Sequence, residues 1–221
     1  MAKILPAILA HTEEEFVEKV NRVRALGLPL HIDVMDGSFV EDTTWAPPER
    51  MRELLDGIEY EAHLMVSNPE HAVPVWIAAG ANRIIFHVES TTRETMICRA
   101  TSPHCDQLII ALNPDTPVSR ITAVLGDFAG VLVMGVVPGK NGQAFHDIAL
   151  EKVRAIKNIR SDMIVEVDGG VKPNNAAALA EAGADLLVAG SALTEAADST
   201  IALLEFKKAL DEQEPLLRVS P

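Results

Sequence analysis

The sequence predicts an α/β protein closed as a single (β/α)8 barrel, and three observations carry that prediction. Eight short apolar segments recur along its 221 residues, and helical patterns fill the gaps between them. Strands separated by helices run parallel, and near-continuous apolar strands suit a sheet that helices cover. No linker, low-complexity tract or charge block divides the chain, so residues 1–221 are expected to form one domain, with about 212–221 as a loose tail. Eight such units favour a closed barrel over an open doubly wound sheet.

The elements follow in order. "KILPAIL" opens the series, and "TEEEFVEKVNRVRALG" supplies the first helix. Thr12 and Glu15 are spaced as a capping box, Phe16, Val20 and Val23 share one face, and Gly27 ends it. "PLHIDVMD", "EAHLMV", "RIIFHVES" and "QLIIALNP" supply strands two to five, and "GVLVMGVVPG", "MIVEVDGG" and "DLLVAGSAL" strands six to eight. "KPNNAAALAEAGA" begins with Pro173 in a first helical turn and closes at Gly183. "AAGAN" (78–82) and "EAGAD" (181–185) both mark a helix running into a strand, the trace of a repeated unit.

Composition narrows the function. Nineteen basic against thirty-two acidic side chains give a net charge of −13, a poor footing for nucleic acid or an anionic membrane. A phosphate bound here has to meet backbone amides more than a field of lysines. Cys98 and Cys105 fit neither a CxxC redox pair nor a zinc ribbon, which points to a reducing compartment. The opening "MAKILPAILA" does not read as a signal peptide, and no apolar run reaches membrane-spanning length. A cytoplasmic enzyme is the expectation.

The second strand carries the first chemical signal. Side chains alternate between the faces of a strand, so Leu30, Ile32 and Val34 share one face and His31, Asp33 and Met35 the other. A lone buried charge costs roughly several kcal/mol unless something pairs with it, so the second trio needs a chemical reason. In a barrel the strand carboxyl ends form the active-site rim. His31, Asp33, His63 in "AHLM" and Asp168 in "EVDGG" all fall near that rim. Two imidazoles and two carboxylates there suit a divalent cation such as Zn²⁺, Fe²⁺ or Mn²⁺. Each taken singly also reads as a hydrogen-bonded structural residue. Glu166, one layer below Asp168, reads as a structural partner, His87 as support or packing, and Asp36 as a turn or capping residue.

Glycine-rich turns are the second signal. "VVPGKNGQAF", "DGGVKPNN" and "AGSAL" follow strands six, seven and eight. Amides at a helix start near the last two loops of a barrel commonly hold phosphate. Glycines also simply make turns, and Lys140 and Lys172 read either as helpers or as solvated lysines.

These segments carry a family resemblance. "LPAIL", "HIDVMDGSFV", "HLMVSNPE", "FHVES", "ALNPDTP", "VVPGKNGQAF", "VDGGV" and "VAGSAL" occur in the order typical of ribulose-phosphate 3-epimerases. The resemblance covers essentially the whole TIM barrel. It implies one divalent metal ion (Zn, Fe, Mn or Co) held by His31, Asp33, His63 and Asp168, with both aspartates serving as acid and base. It implies that Ala7, Met35, Met65 and Met134 line the substrate site, with Gly139, Gly142, Gly169, Gly170, Gly190 and Ser191 in the loops that hold phosphate. The implied reaction is C3 epimerisation of D-ribulose 5-phosphate to D-xylulose 5-phosphate in the pentose phosphate pathway. A small-molecule sugar phosphate and a second copy of the chain in a homo-oligomer are the expected partners, with no nucleic acid and no membrane.

The sequence also departs from the family pattern. Ala7 stands where many relatives have serine, "PGKNGQ" (138–143) replaces the usual PGFGGQ, and Val137 replaces a usual polar residue. These changes bear on substrate identity more than on reaction type. Another ketose phosphate such as allulose 6-phosphate is therefore an alternative, and so is a non-catalytic sugar-phosphate-binding barrel. A decarboxylase with a DxKxxD arrangement is disfavoured, because Asp33-Val34-Met35-Asp36 contains no lysine.

Overall fold

The computed structural model of the protein describes residues 2–139 and 143–211. Eight strands close into one barrel in chain order: β1 (Lys3–Ile8), β2 (Leu30–Met35), β3 (Tyr60–Met65), β4 (Arg83–His87), β5 (Leu108–Leu112), β6 (Gly130–Met134), β7 (Ile164–Asp168) and β8 (Leu186–Ala189). Every neighbouring pair is parallel, including the closing pair β1–β8. The eight apolar segments are these eight strands.

Helices α1 (Glu13–Arg24), α2 (Pro48–Leu54), α3 (Pro69–Ala79), α4 (Glu94–Ala100), α5 (Ile148–Ile159), α6 (Pro173–Ala182), α7 (Ser191–Thr194) and α8 (Ser199–Asp211) cover the outside. Helix α1 buries Phe16, Val20 and Val23 against the sheet, the face that its spacing predicts. Gly80 and Gly183 end α3 and α6 in the left-handed region, with φ of 94° and 110°, so the two similar phrases are equivalent helix stops.

Two local expectations are corrected. Thr12 Oγ1 accepts from the Glu15 amide at 3.2 Å, but Glu15 does not complete the box. Its Oε1 is 2.7 Å from Lys19 Nζ, and its Oε2 accepts from the His11 amide at 2.7 Å. The gap after β5 holds two 3₁₀ turns, 118–120 and 125–127, in place of an α-helix. Pro114 and Pro117 lack amide donors and Gly126 lowers helix propensity, so only single turns close there.

Alternation divides the barrel wall in two. Outward residues such as Ile32, Leu64, Ile84 and Val167 join the core under the helices. Within the barrel, Ile85, Ile109, Ala111, Leu132, Met134 and Val136 form a separate apolar cluster on β4 to β6 and the loop after β6. The inward positions of β2, β3 and β7 are polar: His31, Asp33, Glu61, His63 and Glu166 are all buried, with Asp168 at their edge. Strand register places Asp33 beside His63 and Met134 beside Asp168.

Candidate active site

Four predicted ligand residues from β2, β3 and β7 meet inside the barrel: Asp168 ends its strand, Asp33 and His63 lie two residues short of the ends of theirs, and His31 sits deeper, second in β2. His31 Nε2 lies 3.1 Å from His63 Nδ1, 3.5 Å from Asp33 Oδ1 and 3.9 Å from Asp168 Oδ2. His63 Nδ1 lies 3.1 Å from Asp33 Oδ1 and 3.6 Å from Asp168 Oδ2. One donor atom from each of the four residues falls within 4.8 Å of all the others. A tetrahedral ion with ligand bonds near 2.0–2.2 Å sets its ligand atoms roughly 3.3–3.6 Å apart. The donor set and its spacing therefore fit a divalent ion.

Each imidazole is oriented from behind. His31 Nδ1 donates to Glu61 Oε1 at 2.6 Å and lies 3.3 Å from Glu166 Oε1. Glu166 is thus the structural partner expected from its place below Asp168. His63 Nε2 faces His87 Nε2 at 2.9 Å, and His87 Nδ1 faces Glu89 Oε2 at 3.3 Å. Such partners decide which ring nitrogen keeps its proton and which offers a lone pair. Sequence reasoning passes over Glu61 and Arg83. The period-two rule is enough to find them, because Glu61 shares its face with His63 and Arg83 shares its face with His87.

Burial and charge set the titration of the cluster. At His31 burial works against the cation, but the carboxyl groups of Asp33, Glu166 and Glu61 outweigh it and hold its pKa well above the ordinary range. Burial likewise opposes the Asp33 anion, yet the imidazoles of His31 and His63 beside it hold that carboxyl well below its usual range. Asp168 moves the other way: burial pushes it up, and the charge of Asp33 adds to this against the pull of the histidines. Glu166 is pushed up to about 8 by burial and by Glu61 beside it. Burial keeps His87 below its ordinary value, which favours the neutral ring.

Above the cluster opens a cleft lined by Asp33 and Asp168 together with Ala7, Met35, Met65, Met134, Gly139, Gly169, Gly170, Gly190 and Ser191. Lys19, Lys172 and Glu195 also line it. Gly142, and Lys140 with it, lies outside the described residues. Asp36 turns away: its Oδ1 accepts from the Ser38 and Phe39 amides and its Oδ2 from the Ser67 amide and hydroxyl.

The glycines differ in why they are glycine. Gly169 has φ of +95°, and a Cβ there would stand 2.4 Å from Val136 Cγ2, so the backbone alone accounts for it. Gly190 has φ of −79°. A Cβ there would meet only Ala7 Cβ, at 3.8 Å. Its missing side chain leaves room for something that enters the cleft.

Comparisons with known proteins agree with this geometry. The model of the Ribulose-phosphate 3 epimerase family matches residues 3–194. The ribulose-phosphate 3-epimerase of Bacillus subtilis is 34% identical over 215 residues, covering 94% of this chain and 99% of its own. That of Schizosaccharomyces pombe is 38% identical over 203 residues and covers 88% of each chain. Among solved structures, KGPDC from Streptococcus mutans aligns with a TM-score of 0.71 at 14% identity, over 97% of this chain and 100% of its own. The 3-hexulose-6-phosphate synthase of Salmonella typhimurium aligns with a TM-score of 0.73 at 15% identity, over 95% and 99%. At such identity these two structures speak for the fold alone. No described helix is long and apolar enough to cross a membrane.

Proposed function

Because this chain belongs to the ribulose-phosphate 3-epimerase family, we propose that it interconverts D-ribulose 5-phosphate and D-xylulose 5-phosphate by two-aspartate proton transfer at C3. The observation that carries this reading is the meeting of Asp33 and Asp168, from strands far apart in the chain, on the floor of one cleft. One carboxylate removes the C3 proton, the C–H pair becomes a C2–C3 double bond, and the carbonyl π pair moves to O2. The other carboxyl group returns a proton to the opposite face of C3. The surroundings hold the Asp33 carboxyl below its ordinary range and push the Asp168 carboxyl above it, so the two are not equivalent.

His31, His63, Asp33 and Asp168 would hold a Zn, Fe, Mn or Co ion. When bound, that ion supplies Lewis-acid stabilisation of the negative charge that develops on the substrate oxygens. The protein's own residues do the rest. Met35, Met65 and Met134 give the carboxyl groups an apolar wall that excludes water and favours proton transfer. Gly190 and Ser191, beside Gly169 and Gly170, form the end of the cleft suited to a phosphate group. Work in the cytoplasm as a homo-oligomer remains part of this proposal.

A second substrate has one observation in its favour. Ala7 lines the cleft and offers no hydroxyl to a sugar, which keeps another ketose phosphate, such as allulose 6-phosphate, in play. A decarboxylase reading loses support, because the lysine position of DxKxxD falls on Met35 and its second aspartate on Ser38. A purely sugar-binding role gives no reason for two aspartates on the floor of one cleft. The deciding experiment assays the metal-loaded protein against a panel of ketose phosphates. Turnover of ribulose 5-phosphate above all others is expected, and binding of the panel without turnover would refute the reading.

A further inference from the structure

Below the ligand cluster, on the side of the barrel away from the cleft, a second group of charges is enclosed. The side chains of Glu61 and Glu166 are 1% and 0% exposed, and both reach His31 Nδ1. Arg83 joins them from the amino-terminal mouth of the barrel. It is the first residue of β4, in register with Glu61. Its guanidinium ion-pairs with Glu61 Oε2 and lies 4.0 Å from Glu166 Oε2. Its side chain stays 25% exposed, so the cation keeps contact with solvent while Nη2 reaches the buried carboxylate. Arg83 does not line the cleft, and no part of the proposed reaction uses it.

We infer that Arg83 is a positioning residue for the metal centre: it anchors Glu61 through Oε2, so that Oε1 holds the Nδ1–H of His31 and the ring turns Nε2 to the ion. The inference rests on reading His31, His63, Asp33 and Asp168 as ion ligands. A histidine ligand binds through a lone pair, and the partner of its other nitrogen decides which atom that is and how the ring is turned. Glu61 serves that purpose only while its carboxylate plane is held. Glu166 Oε1 lies 3.3 Å from the same Nδ1, so a second carboxyl group competes for the one donor. Arg83 settles that competition from behind, because its Nη2 takes the far oxygen of Glu61 and leaves the near one, 2.6 Å from Nδ1, aimed at the ring. Apart from this ion pair, Oε2 has no hydrogen-bond partner among the described residues, so without the guanidinium the carboxylate is free to turn and release the ring.

The test compares the full-length wild type with Arg83→Met, Arg83→Lys and Glu61→Gln. Zn²⁺ affinity is measured by competition with a chromophoric chelator, and thermal unfolding of each metal-free protein checks its fold. The deshielded Nδ1–H proton of His31, assigned by its disappearance in His31→Gln, is followed by NMR. Arg83→Met is expected to bind Zn²⁺ at least about tenfold more weakly, the usual scale for a partner of a ligating histidine, and to lose the Nδ1–H signal. Arg83→Lys restores most of both. Glu61→Gln also weakens binding about tenfold, because its amide turns its oxygen to Arg83 and its NH₂ to Nδ1. An unchanged Zn²⁺ affinity or an unchanged Nδ1–H signal in folded Arg83→Met overturns the inference. If Arg83→Met fails to fold, wild-type affinity in Glu61→Gln overturns it instead. Wild-type protein that binds no Zn²⁺ refutes the metal-centre reading, and the NMR comparison then judges Arg83 by itself.

Discussion

His63 and His87 face each other nitrogen to nitrogen, Nε2 to Nε2 at 2.9 Å, with their rings stacked at 5.1 Å and 25°. Only one proton can lie between them. Glu89 accepts from His87 Nδ1, so neutral His87 presents a bare Nε2 and receives the Nε2–H of His63. That leaves His63 Nδ1 bare toward Asp33 and Asp168. The arrangement on β3 and β4 mirrors what Glu61 does for His31.

Replacing His87 by phenylalanine keeps a ring of similar size against Phe39 but removes the acceptor. His63 is then free to place its proton on Nδ1. Zn²⁺ affinity should fall about ten- to a hundredfold, with the metal-free unfolding temperature showing whether the core survives. A chelator competition that returns the wild-type affinity would remove His87 from this role.

Asp33→Asn and Asp168→Asn, each with metal occupancy confirmed, should slow epimerisation by at least about a hundredfold. Each variant loses one proton carrier while the other face stays competent. In D₂O, residual exchange of the C3 proton should therefore favour one epimer in one variant and the opposite epimer in the other. NMR of both substrates with both proteins reads this directly. A metal-loaded double variant with wild-type turnover would show that other residues carry the protons.

Gly190→Val should raise KM for phosphorylated ketoses more than it lowers kcat. The position tolerates a Cβ, with Ala7 Cβ 3.8 Å away, so the protein should fold normally. The branched side chain instead occupies the end of the cleft proposed for phosphate. Steady-state kinetics provide the check, and equal wild-type activity on unphosphorylated pentulose would argue against a phosphate site there.

Asp36 supplies a pH prediction away from the ion. Its burial opposes the charge, but the Phe39, Ser67 and Ser38 donors hold its pKa below the usual 3.8. A carboxyl lowered on folding adds stability above its unfolded pKa and loses it as pH falls through the folded value. Asp36→Asn should cost on the order of 1 kcal/mol at pH 7. The gap between wild-type and variant unfolding temperatures should close below about pH 3.8, as measured by thermal melts across pH. A gap that persists unchanged in acid would mean that the charge of Asp36 adds nothing.

Much of this is open to reading along the chain. Strands are local patterns, and apolar runs broken by Gly27, Gly80 and Gly183 declare themselves without knowledge of the fold. Alternation alone puts His31, Asp33 and His63 on the inward faces, and knowing that barrel sites sit at strand carboxyl ends brings Asp168 to them. The segment after β5 is less legible, because its two prolines stop a helix without saying what replaces it.

The order of the elements, the type of all but the segment after β5, the inward-facing residues and the family itself follow from the sequence, since each depends on local periodicity and on motifs read in chain order. Tertiary structure alone decided the rest. Which nitrogen of His31 or His63 faces the ion depends on partners distant in the chain: Glu61 is 30 residues from His31, and His87 is 24 residues from His63. That Gly169 is required by its own backbone while Gly190 opens the cleft depends on where Val136 and Ala7 come to rest. Arg83 gained its role in the same way: a charge at the start of a strand becomes a partner for Glu61 only once parallel pairing sets the two side by side inside a closed wall.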